Sequence, residues 1–157
     1  MNNEKECCPK FDPTPWDGKE IVWEGKRFLK DKVCCFLYVP LNFGGAMTRL
    51  MKKVEKVGAQ VPDNVCLSDQ VSKWKMNLLL AVDKEVEGAE SEIISGRFLS
   101  KVYEGNFRDV GKWMADAKTS AEANKNTVIK QYMWYTTCPK CAKKYGKNYV
   151  VIFSQIA

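Results

Sequence analysis

Residues 43–57 can fold in few ways other than an amphipathic helix. Apolar side chains fall at Phe43, Ala46, Met47, Leu50, Met51, Val54 and Val57, a spacing that gathers them on one side of a 3.6-residue turn. Pro40 ends the segment before it, Asn42 is a good N-cap, and Gly58 stands where a left-handed residue closes a helix. Upstream, Val33–Val39 is rich in β-branched and aromatic residues and reads as a strand. A second unit repeats this order. Ile93–Tyr103 is strand-like with a bend at Gly96, and Asn106 then caps a helix expected over about 107–123. Its stripe is Phe107, Val110, Met114, Ala117 and Ala121, with Asp109 placing negative charge in the first turn.

The remaining segments supply strands. Val71–Val82 alternates, with Trp74, Met76, Leu78, Leu80 and Val82 on one face. Lys84–Ser91 is a charged turn containing Gly88. Val128–Thr137 and the nearly all-apolar Tyr149–Ile156 flank a basic turn over Lys140–Lys147. Phe36-Leu37, Asn42-Phe43 and Leu50-Met51 are echoed by Phe98-Leu99, Asn106-Phe107 and Met114. The expected fold is therefore α+β. It has two strand–helix–strand–strand repeats, an antiparallel-rich sheet with both helices on one side, and a ligand groove on the other. Residues 1–32 carry Pro9, Pro13, Pro15, Gly18 and Gly25 and read as an extended arm, with at most a short strand near Ile21-Val22-Trp23. Phe11, Trp16 and Trp23 would pack that arm on the body, residues 33–157, with repeats over about 33–90 and 91–157.

What is absent narrows the function. The chain has 157 residues, enough for one domain with a sizeable core. The first six residues, MNNEKE, have no apolar stretch of the secretory kind, and the longest apolar run, Val33–Leu41, falls well short of a membrane span. A cytoplasmic protein is expected. There is no histidine, which removes Ser-His-Asp and Cys-His chemistry and every His-ligated metal site. The net charge of +6 comes from lysines spread along the chain, so neither nucleic acid nor membrane is an expected partner. Gly44-Gly45 lacks the spacing of a phosphate loop. A monomer and a homodimer both fit.

Three groups of residues could carry chemistry. The first is aromatic: Trp74, Tyr103, Tyr132 and Trp134 could line a groove for a flat, mostly apolar ligand, neutral or cationic. With 18 Phe, Tyr and Trp in all, most such rings must be core. The second is the cysteine set. Cys138-Pro-Lys-Cys141 together with Cys7-Cys8 could form a four-thiolate zinc site, or be ordinary reduced thiols. Cys34, Cys35 and Cys66 read as core residues. The third is a carboxylate, Glu104, at a strand-to-helix junction. Against aromatic walls it could serve as a base, and on the surface it is merely solvated.

Lys101-Val-Tyr-Glu-Gly105-Asn-Phe107 entering the second helix, and the aromatic strand Gln131-Tyr-Met-Trp-Tyr135, resemble the GyrI-like small-molecule-binding superfamily over about residues 30–157. The stretches CCPKFDPTPWD and WYTTCPKCAKKYGKNYVVIF are similar to a bacterial branch labelled hydrolase. The resemblance implies two repeats about a pseudo-two-fold axis with a ligand cleft between them. It also implies either binding of lipophilic cations or hydrolysis of cyclopropyl groups in DNA-alkylating compounds. Both use a buried Glu on the penultimate strand. Here that place falls near Gln131, whose amide supplies neither negative charge nor a base, so the departure speaks for binding over hydrolysis. Glu104 is the carboxylate that could replace it in a small hydrolase. A structural or interaction protein stapled by zinc is the third reading.

Overall fold

A computed structural model describes residues 11–36, 39–41, 43–62, 65–136 and 149–157. In chain order the elements are β1 (Lys19–Phe36), β2 (Val39–Pro40), α1 (Phe43–Val57), β3 (Cys66–Ser72), β4 (Lys75–Ala81), β5 (Ser91–Glu104), α2 (Val110–Ala123), β6 (Val128–Tyr135) and β7 (Tyr149–Ile156). A 3-10 turn over Phe107–Asp109 leads into α2. The fold is α+β, with two helices and a strand-rich, largely antiparallel sheet. The chain divides into two compact units.

One unit holds Val22–Arg97 and Tyr132–Trp134. β4 lies between β1 and β3, antiparallel to both, and β3 continues the ladder to β6 through Leu67 opposite Trp134 and Ser68 opposite Met133. The register aligns Leu29, Leu80 and Cys66 across three strands. Asp31, Leu78 and Ser68 align two residues further along. Paired residues point to the same face, so this register gathers one apolar surface. Leu29, Val33, Met76, Leu78 and Leu80 meet Ala46, Leu50 and Val54 of α1 in a single buried cluster. The other face is also apolar and buried, through Phe28, Leu67, Leu79 and Ala81. Gly58, with φ +66°, closes α1 as its sequence position requires.

This region departs from its sequence expectation in two places. Val71–Val82 is not one strand but the end of β3, a turn and then β4. A register shift between Gln70 and Ser72 precedes the turn. Met76, Leu78, Leu80 and Val82 of the expected face do enter the core, whereas Trp74 sits at the turn and is exposed. β1 is a single 18-residue strand where a short strand near Ile21–Trp23 and a separate one over 33–39 were expected. Gly25, with φ +61°, lets β1 pass through a backbone conformation that other residues rarely adopt.

The other unit holds, among the described residues, 11–21, Phe98–Gln131, 135–136 and 149–157. α2 packs on β7 through its small buried face of Val110, Ala117 and Ala121. β7 is buried almost throughout, as its apolar sequence predicts. Asn106 performs the capping expected of it, one turn early. Its side-chain oxygen accepts the Arg108 amide at 3.0 Å, so it starts the 3-10 turn and α2 proper begins at Val110. Segment 11–21 is held by aromatic and polar contacts. The Trp16 ring meets Phe153 edge-on at 5.9 Å, Phe11 lies 5.7 Å from Tyr149, and Ser100 donates its hydroxyl to the Trp16 carbonyl. Among the described residues no helix is long and apolar enough to cross a membrane.

Candidate functional site

In the second unit the start of β1, the middle of β5, one face of α2 and Ser154 of β7 enclose a cleft of about 330 Å3. The Pro13 carbonyl accepts the amides of Trp16 and Asp17 at 3.0 and 2.9 Å, which turns the chain into β1. Asp17 then accepts the Val102 amide at 3.1 Å, which fixes its carboxylate against β5. The cleft wall is charged on both signs, with Asp17, Glu20, Lys19 and Lys101, and carries the hydroxyls of Ser100 and Ser154. Gln131 stands behind this wall. Its Nε2 donates to the Met114 carbonyl at 2.9 Å and to the Ser154 hydroxyl at 3.1 Å, which ties α2 to β7.

Beside the cleft lies an aromatic pair. Lys101 and Tyr103 are two apart on β5 and share a face, and Trp113 and Asp116 are three apart on α2 and share another. These two pairs meet. The Tyr103 and Trp113 rings stack at 5.6 Å with 12° between their planes. The Tyr103 hydroxyl donates to Asp116 Oδ2 at 2.5 Å, and Lys101 Nζ reaches the same oxygen at 2.7 Å while lying 5.3 Å from the Tyr103 ring centre. Hydrogen bonding from Lys101, and next from Tyr103, holds the Asp116 carboxyl below the usual range. Burial, followed by the Asp116 carboxylate, pushes the Tyr103 phenol well up, so it stays protonated. Gly105, with φ +151°, makes room for the stack: a Cβ there would lie 3.0 Å from Trp113 Cζ2. Both rings are half-buried, so part of their apolar surface remains open to solvent.

Of the residues singled out from sequence, Tyr103 stands at this stack and Gln131 behind the cleft. Glu104 is exposed at the end of β5. Tyr132 and Trp134 are buried in the first unit, and Met133 between them is buried too. Trp74 is exposed there against Phe36, at 5.7 Å. Cys7, Cys8, Cys138 and Cys141 lie outside the described residues. Among the described residues no three metal-binding side chains come together. Cys66 is buried, and burial pushes its thiol up to about 12, which makes it inert. Cys35 is buried as expected, whereas Cys34 is exposed because β1 turns it away from the core. Trp113, Asp116 and Asp17 are not among the residues that the sequence marks. The available signal was Trp113 and Asp116 outside the apolar stripe of α2.

The sequence model of the family described as bacterial hydrolase matches residues 1–156, and the chain belongs to that family. Among solved structures, a hydrolase from Listeria innocua superposes with a TM-score of 0.62 at 12% identity, covering 90% of this chain and 93% of that one. SAV2435 bound to tetraphenylphosphonium gives a TM-score of 0.47 at 11% identity, covering 88% and 93%. No curated protein matches the chain.

Proposed function

We propose that this member of the bacterial hydrolase family binds a small, flat, mostly apolar molecule that rests on the Tyr103–Trp113 stack and reaches into the adjoining cleft. The stack carries the reading. Two aromatic rings held nearly parallel, with ring surface left in solvent, offer a face that a planar ligand can extend. The charges around it favour a neutral or singly cationic ligand. Lys101 is engaged by Asp116, which leaves Asp17 and Glu20 against Lys19 on the cleft wall.

The test is titration with a planar aromatic cation and a neutral planar hydrocarbon, followed by Trp fluorescence. Quenching is expected with both. Trp113→Ala should weaken binding about tenfold or more, as loss of a stacked aromatic contact does. Quenching that survives Trp113→Ala unchanged would place the ligand elsewhere.

Hydrolysis is the second reading, favoured by the name of the family and by the hydrolase from Listeria innocua. Glu104, one residue from Tyr103, is then the base, and an electrophilic cyclopropyl compound the substrate. Glu104→Gln should cut turnover about a hundredfold or more and leave affinity nearly intact. Binding without turnover, indifferent to Glu104, leaves the binding module as the function.

A further inference from the structure

Four of the eight large apolar side chains that stand exposed among the described residues gather at one end of the first unit's sheet. Trp74 occupies the turn between β3 and β4 and is 53% exposed. Phe36, at the end of β1, is 57% exposed and meets the Trp74 ring edge-on at 5.7 Å. Val71, next to the register shift in β3, is 55% exposed, and Leu41 is 67% exposed. Backbone hydrogen bonds hold the group together. The Cys35 amide donates to the Trp74 carbonyl at 2.8 Å, and the Leu41 amide to the Cys34 carbonyl at 2.9 Å. Exposed Trp and Phe held this way lose the hydrophobic gain of burial, and a soluble protein seldom clusters them without use.

Lys73 and Lys75 flank Trp74, both exposed. Among the described residues neither has an ion-pair partner. We propose that this hairpin tip docks on an anionic lipid surface, with Trp74 and Phe36 entering the interface and Lys73 and Lys75 meeting the headgroups. Trp suits the boundary between headgroups and acyl chains because its ring is apolar and its N–H is polar. Basic side chains beside it are attracted to acidic lipids. A second copy of the chain fits the same patch poorly. A symmetric contact would set the lysines of one copy against those of the other. Four half-exposed side chains would also bury on the order of 400 Å2, against roughly 800 Å2 per partner in a stable interface.

The experiment is co-sedimentation of the full chain with vesicles of phosphatidylserine and phosphatidylcholine, and with phosphatidylcholine alone. Binding is expected only to the acidic vesicles and should fall as salt rises. Trp74→Ser, and separately Lys73→Glu with Lys75→Glu, should each weaken it about tenfold. Both are exposed positions, and thermal unfolding of each variant confirms the fold. Equal binding to both kinds of vesicle, or binding unchanged in the variants, overturns the proposal. So does equal affinity for soluble polyglutamate, which would mean a protein partner. A concentration-dependent dimer abolished by Trp74→Ser would assign the patch to self-association and overturn it too.

Discussion

The Tyr103 hydroxyl and the Asp116 carboxylate are joined by a 2.5 Å hydrogen bond, and Lys101 closes on the same carboxylate oxygen at 2.7 Å. Burial first, and then this hydrogen bond, make the phenol ionise well above its ordinary value of 10.0. An acid raised in this way stabilises the fold below pH 10 and withdraws that support as pH climbs toward its folded value. In an ultraviolet pH titration Tyr103 should resist ionisation until the protein unfolds. Tyr103→Phe should shrink the late step by one tyrosine, and Asp116→Asn should move that tyrosine's share to lower pH.

Gly105 is the position where a methyl group tests the stack most cheaply. Gly105→Ala imposes φ +151° on a residue that disfavours it and brings a Cβ to 3.0 Å from Trp113. The expected cost is of order 1–3 kcal/mol, typical of a strained backbone site. Chemical denaturation should show the loss, and ligand-induced quenching should fall with it.

Asp31 and Arg49 link β1 to α1 at 2.9 Å. The Arg49 guanidinium holds the Asp31 carboxyl below its ordinary 3.8. A lowered carboxylate contributes stability above pH 3.8 that disappears as pH falls through its folded value. Arg49→Met should therefore be less stable than the parent at neutral pH. The gap should close in strong acid, as thermal melts from neutral pH down to strong acid would show.

From the sequence alone Cys7, Cys8, Cys138 and Cys141 could hold zinc or be ordinary reduced thiols. The zinc reading requires that elemental analysis of protein purified without chelator find one zinc per chain, lost in Cys138→Ser with Cys141→Ser. Protein free of metal in that assay removes the site.

Both helices were legible because a stripe and its caps lie within one window of sequence. Phe43–Val57 has the expected bounds, and α2 starts three residues late because a 3-10 turn takes up Phe107–Asp109. The β3–β4 turn was not legible. Ser72-Lys-Trp-Lys75 contains neither Gly nor Pro, and Trp74 keeps the two-residue alternation going through it. The cleft was less legible still. Asp17, Lys101, Ala117 and Ser154 come from four separate stretches, and no periodicity within one stretch reports on another. Tyr103 was found because aromatic residues advertise themselves. Its partners on α2 are not legible, because Trp113 and Asp116 fall off the stripe that marks a core face.

Segment 11–21 meets its partners across long stretches of chain. Ser100 is 84 residues from the Trp16 carbonyl it binds, and Val102 is 85 from Asp17. The Phe153 ring that receives Trp16 is farther still. During synthesis this segment leaves the ribosome well before any of them, so Trp16 must wait until β7 has been made. The wall of the cleft around Asp17 is thus translated first and assembled last, and a chain halted before β7 would carry Trp16 without its seat on Phe153.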